Sequence, residues 1–225
     1  TADLDFVLID MEHSPFTSQD VARLVAWFQA TEIAPFVRVP MTQYHFIARC
    51  MDAGALGVMV PNVKTGSQAH EIVSFVKYAP LGDRGVALGG ALTGYQAVSP
   101  AEFLAESNRN TTIICQIESE EGLENLEAIA STPGVDCLWV GHFDLTNSMG
   151  IPGQFQSQRF LDALAQVVES CRRHGLAAGI QPGSPEQAQQ WMGMGYNMIS
   201  YSADHALYRA AVVQGAAAVR EIAAR

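Results

Sequence analysis

Short apolar runs alternate with segments of helical periodicity along almost the whole chain, and this alternation limits the possible folds more than any other feature. The runs begin near residues 6, 35, 57, 112, 135, 177 and 197. A repeated strand–helix pattern predicts a parallel sheet, because parallel strands need a crossover connection and the helix supplies it. The runs are apolar throughout rather than alternating with polar residues, so both faces of the sheet should be buried.

The count of seven strands favours a (β/α)8 TIM barrel with one strand missing. An open doubly wound sheet would fit the same pattern, but no GxGxxG motif follows any run, which weakens its dinucleotide-binding version. We expect the missing strand to be the first, so that FVLIDMEHSP, residues 6–15, carries the second. No linker, repeat or low-complexity segment divides the sequence, and we predict a single domain over residues 1–225.

The composition argues against several classes of function. The 225 residues carry a formal charge of −10, and no basic run offers nucleic acid a positive surface. No apolar run approaches the roughly 18 residues of a membrane span, and the first 20 residues do not resemble a signal peptide. The four cysteines form no CxxC pair and indicate buried free thiols in a reducing compartment. We therefore expect a cytoplasmic protein that binds neither nucleic acid nor membrane.

Residues 80–100 interrupt the alternation with five glycines and no strand or helix pattern. The segment lacks the lysine and the following helix of a phosphate-binding P-loop. We expect a mobile loop over the site instead.

Polar side chains follow several of the predicted strands, at the edge where a parallel barrel carries its active site. They are Asp10, Glu12, His13, Arg38, Gln116, Glu118 and Asp144. Taken alone, Asp144 could equally be the N-cap of the next helix, whereas glutamate is a poor N-cap and Ser119 already suits that position beside Glu118. Two carboxylates on neighbouring strands, with few thiols nearby, suit a hard divalent cation such as Mg²⁺ or Mn²⁺.

The other polar groups indicate enolate chemistry on a 2-oxo acid, whose carboxylate and ketone oxygens the metal would chelate. Arg38 offers a fixed cation for a carboxylate or a developing oxyanion. His13 is a residue type whose ordinary pKa suits proton transfer near neutrality, here of the C4 hydroxyl, directly or through water. A Schiff-base aldolase is disfavoured, because the only lysines, Lys64 and Lys77, lie in helix or loop positions.

Longer motifs resemble the HpcH/HpaI family of metal-dependent pyruvate aldolases over residues 3 to about 207. They are DFVLIDMEHSP, FVRVP, DAGALGVMVPNV, APLGDRG, IESEEGLENLEAIASTPGVDCLWVG and FDLTNSMG. The resemblance implies a TIM barrel whose last helix is exchanged between subunits, in dimers assembled into hexamers. It also implies an aldolase, similar to 4-hydroxy-2-oxoheptanedioate aldolase, that cleaves a 4-hydroxy-2-oxo acid to pyruvate and an aldehyde through a metal-stabilised pyruvate enolate.

The same resemblance implies the metal site. Glu118 and Asp144 would be the ligands of a Mg²⁺, Mn²⁺ or Co²⁺ ion. Gln116 would help to hold a water on the metal beside the substrate. Arg38 would hold the pyruvate oxygen and the enolate.

The resemblance further implies that His13 is the acid–base residue and acts through water. Its partner would be Asp52, which can come from a neighbouring subunit. Asp10 and Glu12 would support and orient the groups around them.

Beside the missing strand, the chain departs from the family pattern at two places. It has GHFDLT where the family usually has GPxDLS, so His142 replaces a proline two residues before a metal ligand. His142 would contact substrate, line the pocket or tune the metal, or it would simply pack. The glycine-rich loop also has no arginine after its RG. If that arginine serves acceptor or substrate charge in the family, the substrate of this chain differs.

Two other interpretations stay open. Oxaloacetate decarboxylation or acyl-CoA lyase chemistry would use the same metal enolate, although the basic surface that the nucleotide of CoA requires is not evident. The second interpretation is a non-catalytic barrel that binds a 2-oxo acid. Such a protein would need no acid–base residue at the position of His13.

Overall fold

The computed structural model describes residues 3–224 and contains a curled parallel sheet of seven strands with helices packed against it. The strands are β1 Phe6–Asp10, β2 Ala34–Arg38, β3 Gly57–Val60, β4 Thr112–Ile117, β5 Cys137–Val140, β6 Ala177–Ile180 and β7 Met198–Ile199. Each strand pairs in parallel with the next one along the chain. The predicted strands and their parallel arrangement are confirmed.

Helices connect the strands. They are α1 Ser18–Phe28, α2 Tyr44–Asp52, α3 Gly66–Val76, α4 Pro100–Asn110, α5 Glu120–Glu124, α6 Leu126–Ala130, α7 His142–Ser148, α8 Gln158–His174, α9 Pro185–Met194 and α10 Asp204–Ala223, with a 3₁₀ turn at Ala91–Thr93. The sequence pattern predicts no helix at α4 and only a short turn, DLTNSMG, where α7 lies. The segment SEEGLENLEAIAST predicts one helix, which the structure divides at Asn125 into α5 and α6.

Side chains alternate along the strands and form two apolar layers. The outward layer packs between the sheet and the helices and includes Val37, Val58 and Leu138, none of which is exposed. The inward layer lies on the concave side and includes Phe36, Met59, Ile114 and Trp139. Burying each of these larger side chains contributes roughly 1.5–3 kcal/mol, so the two layers together fix the register of the strands.

The inward positions change from apolar to polar toward the carboxyl ends of the strands. Along the inner face, Phe6 and Leu8 are followed by Asp10, Phe36 by Arg38, and Ile114 by Gln116 and Glu118. Apolar side chains therefore cover most of the inner face, and polar groups lie together at the carboxyl edge of the sheet, where the strand pattern predicted them.

The complete eight-stranded barrel is not present in the part of the chain that the structure describes. Within residues 3–224, β1 and β7 are edge strands and do not pair with each other. All four cysteines are free and buried, as predicted. None of the helices within these residues is long and apolar enough to cross a bilayer.

Helix α10 is exposed along its whole length. Its apolar side chains include Tyr208, Val213 and Ile222, which are 74%, 57% and 71% exposed. A 20-residue helix with several large apolar side chains in water lacks the burial that normally stabilises such an element.

Candidate active site

Asp10 fixes the guanidinium of Arg38 on the neighbouring strand. The register places the two residues side by side. Arg38 donates from Nε to Oδ1 of Asp10 at 2.8 Å and from Nη2 to Oδ2 at 2.7 Å, a two-point contact that sets the plane of the guanidinium. Nη1 lies 3.0 Å from Oε2 of Glu12. Burial alone would lower the pKa of Arg38, but Asp10 and Glu12 outweigh burial and raise it, so the side chain keeps its charge.

Asp10 also shapes the turn that carries His13. Its Oδ1 accepts a hydrogen bond from the backbone N–H of Glu12 at 2.9 Å, and its backbone carbonyl accepts one from the Ser14 hydroxyl. Burial raises the pKa of Asp10, but the hydrogen bonds and charge of Arg38 outweigh this and lower it. The His13 side chain is 66% exposed, with Nε2 at 3.8 Å from Oε2 of Glu12. A substrate at this edge can therefore reach the imidazole.

Glu118 directly follows β4 and is buried. Its Oε1 accepts a hydrogen bond from the backbone N–H of Asn62 at 2.6 Å, and its Oε2 accepts one from the side-chain amide of Gln116. Burial raises the pKa of Glu118 to about 7, against the lowering effect of the Gln116 hydrogen bond, and repulsion from Glu12 and Asp144 adds to the rise. Burial makes the ionised form of the Glu118 carboxylate unfavourable, and a bound cation would offset this cost.

A cavity of about 270 Å³ opens at this edge. It is lined by Glu12, His13, Asn62, Glu118, Asp144, Asn147 and Ser148. Asp144, Asn147 and Ser148 lie on one face of α7, at i, i+3 and i+4. Sequence reasoning missed Asn62, Asn147 and Ser148 as site residues. Helical spacing from Asp144 would have found the last two if α7 had been predicted as a helix.

The donors around the cavity fit a hard divalent cation. Glu118 and Asp144 both line it, and the lining contains no thiol. Oε1 of Gln116 is buried and has no hydrogen-bond partner among the residues that the structure describes, so this oxygen is available to a metal-bound water. Within residues 3–224 no group of three or more His, Cys, Asp or Glu side chains is arranged to hold a metal. An ion held by the two carboxylates would keep its other coordination positions for substrate oxygens and water.

Gly141 leaves the space that the Glu118 carboxylate occupies. Ile117 pairs with Val140, so the next residues, Glu118 and Gly141, lie beside each other. A Cβ atom on residue 141 would lie 2.7 Å from Nε2 of Gln116 and 2.8 Å from Cβ of Glu118. Any side chain at this position must therefore push these two groups aside.

The substitution Gly141→Ala is expected to weaken metal binding while the fold is retained. Displacement of the Glu118 carboxylate should lower Mn²⁺ affinity by about 10- to 100-fold, as measured by isothermal titration calorimetry. Gly193→Ala is the control, because a Cβ atom there meets nothing within 4 Å. Unchanged Mn²⁺ affinity in Gly141→Ala would mean that the metal does not depend on the observed position of Glu118.

Asp52 lies at the opposite edge of the sheet from His13. Helix α2 ends at Asp52, shortly before β3 begins, whereas His13 follows the end of β1. The edges are separated by the length of a strand, about 13–17 Å, so the two side chains of one chain cannot touch. Oδ1 of Asp52 instead accepts a hydrogen bond from Nη2 of the buried Arg84 at 2.7 Å. The His13–Asp52 pair implied by the family resemblance can therefore form only between two chains.

His142 packs among aromatic side chains and does not line the cavity. Its ring centroid lies 4.6 Å from that of Phe143, 5.1 Å from that of Phe155 and 5.4 Å from that of Trp191. Burial lowers the pKa of His142 to about 4, so the imidazole is neutral near pH 7. Of the alternatives that the sequence left open for His142, the geometry favours packing over the predicted substrate contact.

A second cavity, of about 490 Å³, lies at the amino-terminal edge of the sheet. Its wall includes Phe28, Met51, Leu92 and Phe103, and none of the predicted site residues lines it. The predicted chemistry therefore belongs to the smaller cavity at the carboxyl edge.

Comparison with known proteins assigns the chain to a family. Residues 1–211 match the model of the HpcH/HpaI aldolase/citrate lyase family. The chain belongs to this family. A hydroxypyruvate/pyruvate aldolase of Paraburkholderia phytofirmans is 36% identical over 209 residues, which cover 90% of this chain and 80% of that protein. A 5-keto-4-deoxy-D-glucarate aldolase of Shigella boydii is 32% identical over 213 residues, 93% of this chain and 81% of that protein.

Solved structures of HpcH/HpaI proteins have the same fold. A crystal structure of an HpcH/HpaI aldolase/citrate lyase family protein from Burkholderia cenocepacia superposes with a TM-score of 0.91 at 35% identity, covering 97% of this chain and 87% of that chain. The relatives are aldolases, and this HpcH/HpaI protein is a carbon–carbon lyase, as predicted. The family depends on a divalent metal.

Proposed function

We propose that this HpcH/HpaI enzyme cleaves a 4-hydroxy-2-oxo acid reversibly to pyruvate and an aldehyde. The observation that carries the proposal is the shared cavity of His13, Glu118 and Asp144, next to an arginine held in one orientation. Two carboxylates supply a cation site, Arg38 supplies a fixed positive charge, and His13 supplies an exchangeable proton. A protein that only binds a 2-oxo acid would need no such histidine.

Glu118 and Asp144 would hold a Mg²⁺, Mn²⁺ or Co²⁺ ion. When bound, the ion supplies positive charge to the carboxylate and ketone oxygens of the 2-oxo acid. Gln116 orients a water beside this site through its unpartnered Oε1. The hydrogen bonds to Glu118 from Asn62 and Gln116 hold its carboxylate in place before the cation arrives.

Arg38 stabilises developing charge and His13 transfers a proton. The Arg38 guanidinium, oriented by Asp10, binds the C2 oxygen and stabilises the negative charge that develops on it as the C3–C4 bond breaks. His13, through a water, takes the proton of the C4 hydroxyl as the aldehyde carbonyl forms. In the reverse direction it returns that proton to the aldehyde oxygen.

Removal of the metal is expected to abolish both the cleavage and the enolisation of pyruvate. With Mg²⁺, Mn²⁺ or Co²⁺ the enzyme should release pyruvate from a 4-hydroxy-2-oxo acid, and in D₂O it should exchange the methyl protons of pyruvate, as seen by NMR. A chelator should stop both reactions, and added metal should restore them. Absence of both reactions with all three metals would contradict the proposed function.

We further infer that the sheet is part of a closed eight-stranded barrel and that α10 is exchanged between subunits of a dimer or hexamer. The exposed apolar side chains of α10 support this assembly, since a second copy would bury them. The separation of Asp52 from His13 supports it as well, because only a neighbouring copy can bring Asp52 to the site.

Co-expression of a His13→Ala chain with an Asp52→Ala chain is expected to restore activity. In a mixed dimer one site receives both intact residues, so random pairing should recover about a quarter of wild-type activity. Mixing His13→Ala with Glu118→Gln is the matched control and should restore nothing, because those two residues come from the same chain. If the co-expressed His13→Ala and Asp52→Ala chains are no more active than either variant alone, the site is not shared between chains.

A further inference from the structure

The wall of the cavity carries three carboxylates and neither lysine nor arginine among residues 3–224. The carboxylates belong to Glu12, Glu118 and Asp144. The other lining residues are a histidine, two asparagines and a serine. A ligand that approaches the cavity from solvent therefore meets acidic and neutral polar groups.

The cations around the cavity are each paired with a carboxylate of the chain itself. Arg38 contacts Asp10 at 2.7 Å and Glu12 at 3.0 Å, Lys64 lies 3.2 Å from Glu121, and Arg159 pairs with Glu120. Each of these side chains has a carboxylate partner, so none offers an uncompensated charge to a second anion. A divalent cation at Glu118 and Asp144 does not reverse the balance, because Asp10, Glu12, Glu118 and Asp144 carry four negative charges against three from Arg38 and the cation.

Pyruvate brings one negative charge of its own, which the cation and Arg38 would meet under the proposed function. An aldehyde with a phosphate or a carboxylate would add a second anion to a cavity at which residues 3–224 of this chain offer no further unpaired cation. Like charges that face each other at short range disfavour binding strongly. Asp52 of a neighbouring subunit would bring its partner Arg84 with it, so this pair would add no net charge to the site.

The neutral residues of the wall are suited to hydroxyl groups. Asn62, Asn147 and Ser148 are exposed and line the cavity. Amide and hydroxyl groups both donate and accept hydrogen bonds, as the hydroxyl groups of a small sugar-like aldehyde do. The side of the cavity formed by α7 therefore offers polar contacts without positive charge.

We infer that the aldehyde partner of this enzyme is a small, uncharged, hydroxylated aldehyde, and that the cavity discriminates against aldehydes with an anionic group. This inference rests on the proposed aldolase function and specifies its second substrate. The residues that set the preference are Glu12, Asp144 and the neutral pair Asn147 and Ser148.

Pairs of aldehydes in which one member carries an anionic group test the inference. In aldol addition to pyruvate, kcat/KM for D-glyceraldehyde should exceed that for D-glyceraldehyde 3-phosphate by at least about tenfold. The same should hold for butanal against succinic semialdehyde, which has the same chain length and a terminal carboxylate. Equal or higher kcat/KM for the anionic member of both pairs would overturn the inference.

The proton exchange of pyruvate separates a wrong inference from a wrong function. Exchange without turnover of either uncharged aldehyde would overturn the inference and leave the pyruvate chemistry intact. If neither proton exchange of pyruvate nor turnover of any aldehyde is seen, both the proposed function and the inference are wrong.

A variant with a new positive charge tests the physical cause. Asn147→Arg should shift the ratio of kcat/KM values toward the phosphorylated aldehyde by about tenfold, because the guanidinium faces the cavity from α7. Asn147→Gln is the matched neutral control and should keep the wild-type ratio. A ratio in Asn147→Arg equal to that of Asn147→Gln would show that charge does not set the preference.

Discussion

Replacement of Glu118 by glutamine is expected to lower Mn²⁺ affinity by at least about 100-fold and aldol cleavage by at least about 1000-fold. Glutamine keeps the size of the side chain and can still accept the hydrogen bond from the backbone of Asn62. It cannot supply the negative charge that a divalent cation requires. Calorimetric titration with Mn²⁺ and the rate of pyruvate release measure the two effects.

The same change at Glu121 is the control for Glu118→Gln. Glu121 lies three residues further along, is exposed and pairs with Lys64. Glu121→Gln should bind Mn²⁺ and cleave substrate as the wild type does. Full activity in Glu118→Gln would show that Glu118 is not a metal ligand.

Replacement of His13 by asparagine is expected to separate two reactions of the same site. Cleavage of a 4-hydroxy-2-oxo acid should fall by about 100- to 10,000-fold, because asparagine cannot take the proton of the C4 hydroxyl as the imidazole does under the proposed function. Decarboxylation of oxaloacetate should change only severalfold, since that reaction requires no hydroxyl proton to be removed. Pyruvate formation from each substrate, measured with one enzyme preparation, gives both rates.

His45→Asn is the matched control, because His45 is exposed on α2, outside the cavity. Both rates should keep their wild-type values in this variant. Survival of both rates in His13→Asn would show that His13 is not the base. An equal loss of both rates would assign it a binding or structural role instead.

The strands could be predicted from the sequence because burial on both faces leaves a continuous apolar run. Helix α4 lacked the corresponding signal, since none of its residues is buried and its two large apolar side chains, Phe103 and Leu104, are adjacent and not three or four residues apart. Its start was still marked by Ser99 and Pro100, a preferred pair at a helix N-terminus. Helix α7 is only seven residues long, too short for periodicity to distinguish it from a turn.

The residues of the candidate site could be predicted because parallel strands bring their carboxyl ends to one edge. Contacts that depend on register could not. The space that Gly141 leaves for Glu118 follows from the pairing of β4 with β5, which no motif specifies. The same is true of the two-point contact between Asp10 and Arg38. The position of Asp52 relative to His13 follows from the structure. Helix α2 ends at the amino-terminal edge of the sheet, whereas His13 lies at the carboxyl edge.

Anomalous diffraction from crystals that contain Mn²⁺ and pyruvate tests the central claim most directly. A single Mn²⁺ peak is expected roughly 2.1 Å from carboxylate oxygens of Glu118 and Asp144, with two oxygens of pyruvate completing part of the coordination and Arg38 beside the ketone oxygen. A Mn²⁺ peak away from both carboxylates, or pyruvate bound outside the cavity at the carboxyl edge, would contradict the account.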